Sequence, residues 1–144
     1  MGYIPEHHRL SKVAELTQED LLEETILVLE DGHCFRDQAL SLCRLNKKGK
    51  NMAFDLKSGS FETLINLSNE GLGMTLVPYL NTLTLSQDNK EKLRFFQEPP
   101  PAREISLVFP KSQLKIQIIE ALKKTIEGII RGAIAIENVK IVTP

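Results

Sequence analysis

Apolar runs of strand length alternate with segments of helical period along this 144-residue chain, and that alternation restricts the fold more than any other feature. "TILVLE", residues 25–30, is continuously apolar and partly β-branched, as a strand buried on both faces must be. "MAFDL" at 52–56 is a candidate strand. "MTLVP" at 74–78 is a strand closed by Pro78, and "REISLVF" at 103–109 is one ended by Pro110. Between them, "SFETLINLSNEG" at 60–71 has Ser60 placed to start a helix, Phe61, Leu64, Ile65 and Leu67 as its apolar face, and Gly71 as its stop. Residues 34–46 suit another helix. "TQEDLLEE" at 17–24 reads as a short one, with Thr17 as N-cap and Asp20 three residues on. Strands and helices in that order predict an α/β fold with a largely parallel sheet.

The remaining segments are less regular. "SQDNKEK" at 86–92 reads as a polar turn, "LRFF" follows, and Pro99, Pro100 and Pro101 form a stiff connector. From 112 to 131, Ile118, Ile119, Leu122, Ile126, Ile129 and Ile130 recur at three- and four-residue steps, which predicts an amphipathic helix with a core-facing apolar side. "GAIAIENVKIVTP" at 132–144 fits either state. The turn Gly71-Leu72-Gly73 follows a helix and precedes a strand. That is the reverse of the order a phosphate cradle needs, so it reads as a helix stop.

A formal charge of −1 excludes a chain that holds nucleic acid by a concentrated basic face, and "KKGK" at 47–50 is too short to supply one. No apolar run approaches the ~20 residues of a membrane span, and "MGYIPEHHRL" resembles neither a secretory signal nor a transit peptide. The expectation is a cytoplasmic protein with no membrane contact, where thiols are kept reduced. His7 and His8 are adjacent, but the sequence nominates no further ligands, so neither a metal nor another cofactor is expected.

The chemistry lies in "EDGHCFRDQALSLC", residues 30–43, which holds both cysteines of the chain. No CxxC or zinc spacing is present. On one helix, nine steps of ~100° put the two sulfurs on opposite faces, and nine rises of ~1.5 Å separate them by roughly 13 Å. A disulfide needs Cα atoms within about 7 Å, so bridging the pair requires the helix to unravel. Closing a loop of this size is worth roughly 2.5–3 kcal/mol, comparable with the packing it must overcome. Cys34, at the helix N-terminus, is favoured as the thiolate, and Cys43, at the other end, is disfavoured. His33 and Arg36 are the nearby cations, while Asp31 and Asp37 oppose a thiolate if they come closer. Inert buried cysteines are the alternative reading.

At "LEDGHCFRDQALSLC" the sequence resembles the OxyR branch of the LysR-type transcription regulators, which senses hydrogen peroxide. Gly32, His33, Cys34, Arg36, Asp37, Gln38 and Cys43 match that pattern in place, and "SFETLINLSNEGLGMTLVP" and "PPPAREISLVFP" extend the likeness over about residues 3–130. The resemblance implies a Rossmann-like regulatory subdomain of the type 2 periplasmic-binding-protein fold, with the returning strand and helix of the other subdomain. It implies residues 1–98 as subdomain II with the switch, 99–132 as the return to subdomain I, and 133–144 as a tail. It also implies that peroxide oxidises Cys34, that Cys43 resolves it as a disulfide, and that His33, Arg36 and Asp37 bind peroxide or stabilise the thiolate. The implied partners are a thiol reductant of the glutaredoxin or thioredoxin type and further copies of the chain as a dimer or tetramer. DNA and RNA polymerase would be met only by the full-length protein, because a winged helix-turn-helix domain lies outside this sequence.

Oxidation is then stoichiometric rather than enzymatic. Two other readings stand beside it: a LysR-type effector domain that binds a small-molecule inducer, and a thiol peroxidase. Against the peroxidase, Glu30-Asp31-Gly32-His33 precedes Cys34, where peroxiredoxins carry Pro-x-x-x-Thr-x-x-Cys.

Overall fold

The computed structural model describes residues 1–43, 58–110, 112, 115–133 and 140–141. Its main sheet has five strands: β1 (Gly2–Tyr3), β2 (Glu15–Leu16), β3 (Ile26–Leu27), β4 (Met74–Leu76) and β5 (Leu93–Phe96), in the order β2-β5-β1-β4-β3. The pairs β3–β4 and β2–β5 are parallel, as the alternation predicts. The central strand β1 runs antiparallel to both neighbours, so the sheet is mixed rather than largely parallel. Its source, the opening "MGYIP", carries too short an apolar run to register as a strand in the sequence.

Helices α1 (Cys34–Leu42) and α2 (Phe61–Asn69) pack with this sheet. Ser60 caps α2 by accepting a hydrogen bond from the Glu62 N–H, and Gly71 ends it at φ 85°, a conformation that costs a residue with a Cβ. Gly73 is held to glycine by a close approach: a Cβ there would sit 2.4 Å from the Thr25 carbonyl oxygen of the neighbouring backbone segment. The core joins Ile4, Leu10, Leu16, Leu21, Ile26 and Met74 with Ala39, Leu40, Leu42 and Cys43 of α1, so the helix is held mainly by its C-terminal half. Leu64 packs on Leu27 and Leu29, and Ile65 on Tyr3 and Val77.

Several expected elements differ. The 17–24 segment is a single 3-10 turn, Glu19–Leu21, although Thr17 and Asp20 do exchange hydrogen bonds of 2.7–3.2 Å. "SQDNKEK" is not an open turn: it holds α4 (Gln87–Glu91), capped by Ser86, after a short α3 (Tyr79–Thr82) that starts behind Pro78. Past β6 (Pro101–Ala102), residues 103–110 are exposed and in no ladder, so the expected "REISLVF" strand is absent. β propensity there meets no neighbouring strand among the described residues to complete its hydrogen bonds. β6 itself pairs in parallel with β7 (Lys140–Ile141), which resolves part of the ambiguous tail.

The amphipathic helix is present as α5 (Ile116–Ala133), but its apolar face is only partly covered: Ile118 is 64% and Ile129 67% exposed, while Ile119, Ile126 and Ile130 are half-buried. The expectation of a core-facing side holds only in part, because no residue of the helix is fully buried against the other described residues. The candidate strand at 52–56, the end of the 34–46 helix and the "KKGK" run lie outside the described residues.

Candidate functional site

The site is built on α1, because the chain turns sharply just before it. Leu29 closes the strand run in the core, and Gly32 at φ 87° lets the backbone reverse so that His33 takes the N-cap position in an extended conformation. Cys34 is then the first helical residue and is exposed. Cys43 is the C-cap, fully buried, with its N–H bonded to the Ala39 carbonyl at 3.0 Å. Both thiols are free, at opposite ends of nine helical residues, as the spacing required. Burial pushes the Cys43 thiol up to about 12, which at neutral pH leaves on the order of one thiolate in 10^5. Cys34, by contrast, lies at the surface.

Around Cys34, the structure assembles the residues of the motif with distinct contacts. His33 presents its ring edge to Phe61 of α2, 6.1 Å between centroids, and its Nδ1 is buried with no hydrogen-bond partner among the described residues. The Arg36 guanidinium donates to the Leu29 carbonyl at 2.7 Å and pairs with Asp31 at 2.9 Å, so it ties the first turn of α1 to the strand end. Asp37 is exposed on the same turn, and the Oε1 atom of Gln38 is buried and unpaired among the described residues. Phe35 stacks edge-on against Phe61 at 5.2 Å. His7 and His8 lie away from α1: His8 Nε2 meets the buried Glu24 at 3.2 Å, and His7 packs near Gly71.

Two residues of this neighbourhood escape a reading of the sequence. The Arg103 guanidinium lies 5.8 Å from the Phe35 ring centroid, a cation brought beside α1 from 68 positions further along the chain. Gln18 donates from Nε2 to the Leu42 carbonyl at 2.8 Å, at the opposite end of the helix. No local pattern announces either contact, because both depend on how distant segments pack. Next to α1 a cleft of about 370 Å³ runs between Phe35, Gln38 and Leu42 on one side and Tyr79, Phe95 and Ile105 on the other.

The site thus sets an exposed thiol at the start of a helix beside a mixed α/β sheet. The chain belongs to the LysR substrate binding domain family, whose profile matches residues 2–128. Among individual proteins it is similar to a hydrogen peroxide-inducible genes activator of Haemophilus influenzae, at 31% identity over 133 residues, covering 90% of this chain and 44% of that protein. The chain thus spans less than half the length of that relative. It is also similar to the crystal structures of the reduced form of OxyR (TM-score 0.69, 28% identity, 88% of this chain and 58% of that one) and the oxidised form (TM-score 0.69, 30% identity, 91% and 61%). The recognised OxyR likeness and the periplasmic-binding-protein-like fold both hold. Among the described residues, no helix is long and apolar enough to cross a membrane.

Proposed function

We propose that this chain is the redox-sensing part of the regulatory domain of an OxyR-like transcription regulator, with Cys34 as the peroxide-reactive thiol and Cys43 as its resolving partner. The observation that carries the reading is the asymmetry of the pair: Cys34 is exposed at a helix N-terminus, while Cys43 is buried and pushed up to about 12. The Cys34 thiolate attacks one peroxide oxygen. The O–O bond breaks, Cys34 becomes a sulfenic acid, and hydroxide leaves to be protonated to water. Cys43 then displaces the sulfenic hydroxyl, forming the S–S bond and releasing a second water. The two thiols supply the two electrons that reduce the peroxide.

The second step cannot occur in the fold as it stands. Nine rises of about 1.5 Å separate the cysteines along α1, and a disulfide brings Cα atoms to within about 7 Å. Opening the helix does two things together: it removes the distance, and it exposes Cys43, whose thiol then titrates nearer its ordinary range. Peroxide therefore rebuilds residues 34–43, and a glutaredoxin- or thioredoxin-type reductant resets them by thiol–disulfide exchange. His33, Arg36 and Asp37 form the polar surround of Cys34, with the Nδ1 of His33, unpaired among the described residues, offered to peroxide as a hydrogen-bonding group. Residues 1–98 act as the switching subdomain, with 99–132 returning to a second subdomain and 133–144 as a tail. The setting is the cytoplasm. The domain works as a dimer or tetramer, and DNA and RNA polymerase are engaged through the full-length regulator. Turnover is stoichiometric, not enzymatic.

The test is intact mass and free-thiol count before and after a few equivalents of hydrogen peroxide, with far-UV circular dichroism on the same samples. Loss of two hydrogens and both thiols together with changed helicity supports the reading; two surviving thiols overturn it. The 370 Å³ cleft beside α1 favours a second reading, a small-molecule effector site. Unchanged helicity after peroxide, combined with a thermal shift from a metabolite, would select that one.

A further inference from the structure

Gln18 stands 24 positions before Leu42 in the chain, yet its side-chain amide donates to the carbonyl of that last helical residue at 2.8 Å. The last carbonyls of a helix have no partner within the helix, so an external donor there removes a cost of forming it. Gln18 is itself firmly placed. Leu16 and Leu21 on either side are fully buried, Thr17 and Asp20 exchange hydrogen bonds across the turn, and β2 is paired along β5. At the other end of α1, Arg36 performs the corresponding task through the Leu29 carbonyl and Asp31. The helix is therefore tied down at both ends, and the tie next to Cys43 is the one that must release before the buried sulfur can move.

We propose that Gln18 is a positioning residue for the thiol switch: its amide clasps the Cys43 end of α1 and so biases the pair toward the reduced, helical state. This rests on the reading of Cys34 and Cys43 as a redox pair. A net hydrogen bond of ordinary strength corresponds to a change of roughly 2- to 10-fold in an equilibrium. Loss of the clasp in Gln18→Ala raises the disulfide-to-dithiol ratio in a glutathione redox buffer by that factor. The midpoint potential shifts negative by up to about 30 mV, since a tenfold change is worth 29.6 mV for two electrons.

The first readout is the parent protein, titrated in glutathione buffer and scored for the 34–43 disulfide by mass. If it forms no such bond, the reading of the pair as a switch fails. If the parent forms the bond and Gln18→Ala gives the same midpoint, the clasp is overturned while the switch stands. Two further variants separate a clasp from general loosening: Gln18→Glu keeps the length but removes the donor and behaves like Gln18→Ala, whereas Gln18→Lys restores a donor and recovers at least part of the shift. The rate of Cys34 sulfenic-acid formation, measured in a Cys43→Ser background, is unchanged by Gln18→Ala. A faster rate there, or equal shifts in all three variants, would refute a role confined to the Cys43 end.

Discussion

The two ends of α1 present opposite environments to the same side chain. At the first residue, a cysteine sits at the surface at the helix N-terminus; at the cap, a cysteine is fully enclosed by Leu40, Leu42 and the sheet residues. The difference teaches that the accessibility of a thiol is assigned by position in the fold rather than by residue type. Under the proposed switch it would also make the order of events one-directional, with the enclosed sulfur acting only after the exposed one has been modified and the helix has opened.

The comparison breaks most sharply in Cys34→Ser. With only the enclosed thiol left, consumption of peroxide, followed by thiol count, falls by at least about 100-fold, given how little of Cys43 is thiolate. Cys43→Ser leaves the first oxidation intact but stops it at the sulfenic acid, detectable by a sulfenate-specific probe. Its buried hydroxyl also lowers folding stability by ~1–3 kcal/mol in urea melts.

Alkali sharpens the contrast further. The thiol at position 43 binds its proton up to about pH 12 in the folded chain and only to about 9 when unfolded, so the unfolded state sheds protons first. Stability of the reduced protein is therefore intact below pH 9 and declines as pH rises toward 12, by about 1 kcal/mol per pH unit from this group. Cys43→Ala removes that part of the slope in pH-dependent melts. The smallest effect expected is at the exposed partner of Arg36: Asp31 is 90% exposed, so Asp31→Asn changes stability by no more than about 1 kcal/mol, whereas Arg36→Ala, which leaves the Leu29 carbonyl without its donor, costs ~1–3 kcal/mol. Chemical denaturation of the two variants side by side checks that ordering.

Legibility in the sequence followed the reach of the interactions. "TILVLE" and "MTLVP" announced paired parallel strands because their apolar runs are buried where they lie, and Ser60 and Gly71 marked the ends of α2 through local chemistry. "REISLVF" carries a similar apolar signal, yet in the described structure it is exposed and unpaired, since propensity states what a segment tolerates and not whether a neighbour is present. The same holds for α5, whose period was plain and whose cover was not. In the candidate site, the cysteine positions and the helix between them were legible. The Arg103–Phe35 contact and the Gln18 clasp were not, because each joins residues that only the folded sheet brings together. The antiparallel β1 was missed for a related reason: two residues are too few to show a period.

That short strand also has a consequence in time. Gly2 is paired with Leu76 on one side and Arg94 on the other, so the centre of the sheet joins segments more than 70 positions apart in the chain. A ribosome adding roughly 5–20 residues per second would hold β1 waiting for several seconds before both its flanks emerged. During that interval its neighbours' apolar residues have no finished sheet to enter, and the long sequence separation slows closure once they do. Synthesis of this domain is thus expected to leave a window of dependence on chaperones that ends only when β5 leaves the exit tunnel.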